Sequence, residues 1–325
     1  MAETNFQPKN DIQVLIGTGS ANLGTAHATG DTWTKLHVVD FNIEQASAPI
    51  DVAPHRSGTY GQTENMGHHR PDTQTYEVSL TMRGTPTSVL KTTLALFGDG
   101  ASAAELTPES NTGTMKDGTS SASAVTLLFE NAGSDASNID VIVKSCFCTS
   151  MTMKEDVGTN GGELVVEATF WTAYRPLEGT LTPSSTTADT ANPKNIFDLS
   201  TSTLNSEALV LTSWELTISR SLDRVHFKDT TDYDPFGYVQ TAPYEVTGSL
   251  SVKRDDSVYD LLTQTKGDST GITLSLAESS GFTLSCPDVM IDNTKPETGE
   301  YLMQTIPFRA FGASESANIV SITIA

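Results

Sequence analysis

The sequence has few cysteines and no long apolar run, and each shortage excludes a class of protein. Three of its 325 residues are cysteine, too few for a secreted scaffold held together by disulfides. Cys146 and Cys148 are one residue apart, which is too tight for an ordinary bridge between strands, so we expect free thiols in or near strands. No stretch approaches bilayer-spanning length and no signal peptide pattern is found. We therefore expect folding in a reducing cytosol and no membrane insertion.

Basic residues are also scarce. The chain has 19 Lys and Arg against 40 Asp and Glu, which gives a formal net charge of -21. Such a surface repels a nucleic-acid backbone, so sequence-specific DNA binding is excluded as a main function. The acids are scattered along the chain rather than gathered in a block, which is typical of a solvated acidic surface and not of a disordered tail.

What the sequence does contain is an internal repeat. Tyr-Glu-Val opens a strand-like run at residues 76–78 and again at residues 244–246. Further pairs of similar segments follow in the same order: 88–98 with 257–267, 125–129 with 272–276, and 163–171 with 300–308. Internal repeats report architecture directly. Two copies of one strand-helix-strand unit are too few for a solenoid and suit a chain that fills two equivalent places in a ring.

The repeat predicts a mainly β fold, with two homologous β-sandwich or barrel domains in tandem and one short helix in each. Ser88 is the expected N-cap of the first helix and Gly98 its end, while Ser257 and Gly267 bound the second. The predicted organisation is an N-terminal arm (1–31), a first domain (32–175) with a polar insertion (98–124), a Ser-, Thr- and Pro-rich linker (176–207) and a second domain (208–325).

Each repeat has a long polar, turn-rich loop at the same place, at residues 45–75 and 223–243. Loops of that length in a compact domain are usually functional, so we interpret both as contact loops, with surface loops of no special role as the alternative. The candidate contact residues are twelve basic or aromatic residues chosen from the two loops: His55, Arg56, Tyr60, His68, His69, Arg70, Arg224, Phe227, Lys228, Tyr233, Phe236 and Tyr238.

Several motifs imitate a chemical site without completing one. Residues 14–24 resemble a dinucleotide fingerprint, with Asp40 further on, but no helical pattern follows the glycines. The three loop histidines lack a carboxylate or thiol at a ligand spacing, and the acids at 229, 232 and 234 lack the glycine and trailing glutamate of a calcium loop. No nucleophile and base stand out. We expect no enzyme, no metal and no cofactor.

The order strand, long loop, strand, helix, strand, and above all residues 242–262 (APYEVTGSLSVKRDDSVYDLL), resembles the major tail tube protein of long-tailed, non-contractile bacteriophages. The resemblance covers both repeats and implies β-sandwiches or barrels with a flanking helix. It also implies six-fold rings stacked around a DNA channel, with the loop after the first strand reaching into the neighbouring ring. Most members have one such domain. Two domains in one chain imply a trimeric ring with pseudo-six-fold symmetry.

The resemblance further implies a virion tail protein that is assembled in the host cytoplasm. Its expected partners are further copies of itself, a tape-measure protein, a tail terminator and baseplate proteins, while DNA passes without specific binding. Two alternatives stay open at this point. A distal tail or baseplate ring protein shares much of the architecture, and a secreted carbohydrate-binding pair of β-sandwiches lacks support from a signal peptide or an aromatic platform.

Overall fold

The structure is a computed structural model. It describes the following residues: 12–19, 21–45, 75–97, 103–106, 114–116, 120–121, 124–131, 140–225, 237–254, 258, 272–279, 281–292, 295–298, 302–312 and 317–324.

The described residues form mainly strands, as predicted. In chain order the elements are β1 (Ile12–Thr18), β2 (Ala21–Asn22), β3 (Thr32–Lys35), β4 (Val38–Gln45), β5 (Tyr76–Arg83), α1 (Pro86–Phe97), β6 (Ala103–Leu106), β7 (Thr114–Lys116), β8 (Ser120–Ser121), β9 (Val125–Asn131), β10 (Asp140–Asp156), β11 (Val165–Thr172), β12 (Leu177–Gly179), β13 (Thr186–Ala188), β14 (Leu199–Leu204), β15 (Glu207–Ala208), β16 (Leu211–Val225), β17 (Gly237–Lys253), β18 (Ile272–Glu278), β19 (Phe282–Ile291), β20 (Lys295–Thr298), β21 (Leu302–Ala310) and β22 (Val320–Ile324). Short 3₁₀ turns lie at Asn160–Gly162 and Ile196–Asp198.

Period-two alternation explains why these segments form strands. In β5 the side chains of Val78, Leu80 and Met82 are buried while those between them are at least partly exposed. The same alternation runs through β11, β16 and β21. Because successive side chains of a strand point to opposite faces, each of these strands has one apolar face for a core and one polar face for solvent.

Eight of the strands form one antiparallel sheet, which we call the long sheet. Its order is β4-β5-β11-β10-β16-β17-β21-β20, and the last residues of β19 pair with β21 beside β20. Within the described part of the chain, no pairing joins β4 to β20, so the long sheet is open at these two strands.

The two halves of the chain have the same order of strand pairing. The first half contributes β4-β5-β11-β10 to the long sheet, and the second contributes β16-β17-β21 followed by β19 and β20. Outside the long sheet, the pairing of β1 with β9 in the first half corresponds to the pairing of β14 with β18 in the second. Likewise, the pairing of β12 with β10 in the first half corresponds to the pairing of β22 with β19 in the second.

The segments outside the two predicted domains are part of the sheets. The predicted arm contains β1, which lies between β3 and β9. The predicted linker contains β12 and β14, each paired with a different half, and β13, which pairs with β3. From the predicted insertion, β6 pairs with β22 and β7 pairs with β17, so this insertion of the first half contacts the second half.

Helix α1 begins three residues earlier than the sequence predicts. Thr85 is the N-cap: its hydroxyl accepts from the Ser88 amide at 3.0 Å, and the Ser88 hydroxyl accepts from the Thr85 amide at 2.9 Å. This reciprocal pair is a capping box, with Pro86 at the first helical position. The prediction of Ser88 as N-cap was therefore wrong. Gly98 and the predicted second helix lie outside the described residues, except for Val258, which is helical and buried.

One apolar core runs through both halves. A single cluster contains Val78 and Phe170 of the first half together with Trp214, Leu250 and Phe308 of the second. The boundary between the halves is the pairing of β10 with β16, which extends from Ser150 opposite Ser219 to Asp156 opposite Ser213. We call this pairing the internal seam.

Arg220 fastens the internal seam to α1. Its side chain is buried and donates to the carbonyls of Cys148 and Ala95 and to the hydroxyl of Tyr244, at 2.9–3.1 Å. The Tyr244 hydroxyl in turn donates to the Leu96 carbonyl at 2.8 Å. The last carbonyls of a helix have no partner within the helix and carry its negative dipole end, so a buried guanidinium is well placed there. Two residues of the second half thus hold the helix of the first.

Replacing Arg220 with Met is expected to lower the free energy of unfolding by about 2–4 kcal/mol, because buried carbonyls lose their donors. Chemical denaturation measures the change. Arg309→Met is the matched control: Arg309 is a half-exposed arginine of the same sheet whose ion pairs are worth about 0–1 kcal/mol. Equal effects of the two substitutions would contradict the assigned role of Arg220.

Candidate functional site: the polar face and open edges of the long sheet

The long sheet presents one continuous polar face. On it lie the side chains that alternate with the buried ones, and most are hydroxyl or charged groups. Its Ser and Thr members are Ser79, Thr81, Ser150, Thr152, Thr169, Ser213, Thr217, Ser219, Thr247, Ser249, Ser251 and Thr305. Short hydroxyl side chains make a smooth, well-hydrated surface that offers a ligand few apolar contacts.

Most of the described cations on this face are paired with acids; the exception is Lys253 of β17. Lys154 Nζ lies 2.6 Å from Glu167 Oε1, and Arg309 Nε lies 3.3 Å from Asp292 Oδ2. At the end of the face, Arg83 makes a two-bond contact with Glu163, the shorter being 2.7 Å. Among the described residues, no ion pair neutralises Glu77 of β5 or Glu215 of β16. The excess charge of the face is therefore negative.

The internal seam crosses the middle of this face. There Thr152 of β10 and Thr217 of β16 lie opposite each other, with their hydroxyl oxygens 2.9 Å apart. The two outer strands of the sheet, β4 and β20, each have a partner on one side only within the described residues. An unpaired strand edge presents free backbone donors and acceptors and is a ready template for another strand.

The strand directions place the two long loops at the same end of the long sheet. Because β4 and β16 run in the same direction, residues 46–74 leave the end of β4 and residues 226–236 leave the end of β16 at one end, which we call the loop end. The opposite end we call the apolar end. Its exposed large hydrophobic residues are Val39, Val157, Phe197, Val210 and Leu302, which are 39–74% exposed. Exposed large hydrophobic residues are fewer towards the loop end, where Met290 and Phe311 lie beside the end of β21, so the two ends differ in their apolar surface and in the long loops.

A groove of about 550 Å³ opens on the polar face at the apolar end. Its lining includes Val39 and the two ion pairs Arg83–Glu163 and Lys154–Glu167. Glycine is required beside it: a Cβ on Gly84 would lie 2.1 Å from Leu164. The groove is open and charged, so it fits a segment of polypeptide better than a small apolar ligand.

Most predicted contact residues lie outside the described residues. These are His55, Arg56, Tyr60, His68, His69, Arg70, Phe227, Lys228, Tyr233 and Phe236. Arg224 is a half-buried residue of β16, opposite Tyr238 of β17. The assignment of Tyr238 to a contact surface needs correction. Its side chain is fully buried against Phe147, Trp171 and Tyr174, so the ring fills the core and is unavailable to a neighbouring molecule.

Two of the motifs that imitate a chemical site, the loop histidines and the acids at 229, 232 and 234, lie outside the described residues, while the glycine motif and the cysteines can be placed. The glycines after β1 lead into β2 and β3 rather than into a helix, so the dinucleotide fingerprint lacks its structural context. Cys146, Cys148 and Cys286 are free and buried. Burial raises the pKa of the Cys148 and Cys286 thiols to about 12, so neither is a thiolate nucleophile at neutral pH. Within the described residues, no group of acidic, His and Cys side chains is arranged to hold a metal ion.

Sequence reasoning missed the polar face, although a signal for it was present. Residues 213–219 and 247–253 alternate hydroxyl or charged side chains with large apolar or small ones. The alternation shows that one face of each strand is solvated. It cannot show that the solvated faces of several strands lie side by side, because strand order depends on contacts between segments that are distant in the sequence.

Comparison with known families identifies the class of protein. A family model described as phage tail tube protein matches residues 17–310. The match covers most of the chain, so the chain belongs to the phage tail tube protein family, and it is a structural protein of the virion tail. No curated protein matches this chain. In the described part of the chain, no helix has the length and apolar character needed to cross a membrane.

Proposed function

We propose that this protein forms the tail tube of a long-tailed, non-contractile bacteriophage as trimeric, pseudo-hexameric rings that stack around an acidic DNA channel. The observation that carries the proposal is the repeated pairing order, which ends in two open edges. The internal seam joins the end of one repeat to the start of the next. If a second chain continues this order, the outer strand of one chain, formed by the end of β19 and by β20, pairs with β4 of the next.

The internal seam predicts the register of that contact between chains. In the first half, Thr152 lies opposite Glu167 of β11. In the second half, Asp292 occupies the matching place opposite Pro307 of β21, and its backbone N–H donates to the Pro307 carbonyl at 2.9 Å. Thr217 lies opposite Thr247, and Asn42 lies opposite Ser79. Aligning the two halves at the repeated Tyr-Glu-Val makes Ser79 the counterpart of Thr247. The counterpart of the Thr152–Thr217 contact is therefore Asp292 of one chain beside Asn42 of the next.

A chain carrying Asn42→Cys and Asp292→Cys is expected to form disulfides between chains on mild oxidation, because facing strand residues fall within the Cα separation of about 4.4–6.8 Å that a disulfide needs. The native cysteines are buried and do not compete. Non-reducing gels should show a ladder that stops at the trimer.

The matched control combines Ser79→Cys with Asp292→Cys. Ser79 is on the same polar face but one strand further from the edge. Equal cross-linking of the two double variants would contradict the register, and a ladder that continues past three chains would contradict the closed trimer.

Closing the ring would turn the polar face into a wall of the channel. The sheet has its apolar face in the core, so its polar face is the one left for a lumen. Acids on that wall repel DNA phosphates, and hydroxyl side chains give them no strong contact. DNA could then travel along the channel without being held.

Glu77→Lys combined with Glu215→Lys is expected to slow DNA ejection by roughly 2- to 10-fold at low salt, with the difference shrinking as salt rises. Ejection from purified particles, followed with a DNA-binding dye, measures the rate. Glu207→Lys is the control, because this exposed acid lies in β15 outside the long sheet. The channel assignment fails if the double variant ejects at the wild-type rate at every salt concentration.

The different ends of the long sheet support head-to-tail stacking. A contact between the loop end of one ring and the apolar end of the next joins two different surfaces, and such a contact repeats indefinitely along an axis. The apolar end supplies exposed hydrophobic residues and the charged groove. The loop end supplies the two loops for which the sequence predicts contacts.

Val157→Asp combined with Val210→Asp is expected to leave rings intact and prevent their growth into tubes, because burying carboxylates at the contact costs several kcal/mol. Electron microscopy and sedimentation distinguish rings from tubes. The control is Leu177→Asp, a similarly exposed apolar residue of β12. Tubes of normal length from the double variant would contradict the stacking surface.

In the proposed tail, the remaining partners bind at the ends of the tube or inside it. A tape-measure protein would lie against the polar face, a tail terminator would cover one end, and baseplate proteins would cover the other. Assembly would take place in the host cytoplasm. The alternative of a distal tail ring predicts a protein at one end of the tail only, whereas the tube subunit is repeated along its length.

A further inference from the structure

Two carboxyl side chains lie buried together at the internal seam, and no part of the tube function uses them. Glu155 of β10 belongs to the first half and is 1% exposed. Glu278 at the end of β18 belongs to the second half and is 6% exposed. We call them the acid pair. Carboxylates are seldom buried without a cation or several donors, because ionised groups lose much of their hydration energy in a protein interior.

The surroundings of the acid pair offer few donors. Trp214, opposite Glu155 in β16, donates its indole N–H to Glu155 Oε2 at 2.5 Å. The other ionisable groups nearby are Lys194, whose Nζ donates to the Ser279 carbonyl at 3.2 Å, and Asp198. Gly281 closes one side, since a Cβ there would lie 2.3 Å from Glu278 Oε2.

The hydrogen-bond arrangement is incomplete if both carboxyls are ionised. Oε1 of Glu155 and both oxygens of Glu278 are buried and accept no hydrogen bond from any group that the structure describes. One proton on Glu278 changes this, because a protonated carboxyl can donate to the neighbouring carboxylate. The Trp214 indole favours the charge on Glu155, so the proton belongs on Glu278.

We propose that the acid pair holds one proton, shared between the two halves of the chain, and that this proton stabilises the internal seam. The inference goes beyond the proposed tube function and can be tested on the unassembled chain. The hydrogen bond would connect β10 of the first half with β18 of the second, on the core side of the seam that Arg220 fastens to α1.

The electrostatic environment agrees with this assignment. Burial, and then the charge of Glu155, raises the pKa of Glu278, while Lys194 opposes the rise. Burial also raises the pKa of Glu155, against the donor from Trp214. Between its ordinary pKa and the raised folded-state pKa, Glu278 binds a proton in the folded chain but not in the unfolded chain. The stabilisation is therefore fully present below the ordinary pKa and is lost as pH rises through the raised one.

The test compares the wild-type chain with Glu278→Gln, whose amide donates permanently to Glu155. Between pH ~6 and ~9, the thermal midpoint of the wild type is expected to fall by ~3–6 °C more than that of the variant. Glu207→Gln, an exposed acid in β15, should follow the wild type. Infrared spectra of chain labelled with ¹³C-glutamate should show a protonated carboxyl band at neutral pH that disappears at high pH.

The infrared band decides the question even if the Gln variant does not fold. A wild-type spectrum without a protonated carboxyl at neutral pH would overturn the proposal. So would a thermal midpoint that falls with pH equally in the wild type and in Glu278→Gln. Loss of the band in a folded Glu278→Gln chain would assign the proton to the acid pair.

Discussion

The antiparallel pairing of β10 with β16 is the constraint on which the rest of the structure depends. It joins two sets of four strands into one sheet and allows their apolar faces to share one core. Arg220 and Tyr244 add a second connection by satisfying the last carbonyls of α1. The same pairing also shows how the end of one repeat fits the start of another. In the proposed ring, the same contact is made again between neighbouring chains.

The two faces of the long sheet divide stability and function between them. The inner face carries the core, where loss of a buried donor is costly. The outer face carries hydroxyl groups, acids and cations held in ion pairs. Such a face contributes little to folding, and selection can adjust its charge without disturbing the core. This division agrees with the proposed role of the polar face as the wall of a channel for a polyanion.

The sequence predicts the strands well, because alternation leaves a local trace, while the duplication stays a prediction that the similar pairing order of the two halves supports. Alternation marks β5, β11 and β16, and the recurring Tyr-Glu-Val marks equivalent places in the two halves. The start of α1 was predicted wrongly because two nearby residues are both suitable N-caps. Ser88 is a residue type that often caps helices, but Thr85, followed by Pro86, is the N-cap in the structure. Tyr238 has the polarity of a loop residue, yet its ring completes an aromatic cluster drawn from distant segments.

The acid pair and the polar face could not be predicted, because each is created by strand order. Glu155 and Glu278 are far apart in the sequence and meet only after the two halves join. The polar segment 176–207 has the composition of a linker. In the structure it forms β12, β13 and β14, which pair with β10, β3 and β18. The composition of a segment indicates how far it is exposed to solvent, but it does not show which strand edge the segment pairs with.

The central claim is that the two halves of one chain occupy equivalent, adjoining places in a closed ring. Cryo-electron microscopy of the assembled protein tests it most directly, because a map that resolves strands shows both the number of chains and their edges. The account predicts three chains in each ring, with the outer strand of each chain, formed by the end of β19 and by β20, paired to β4 of the next. A ring of six chains, or a β4 edge that remains unpaired in the assembly, would contradict it.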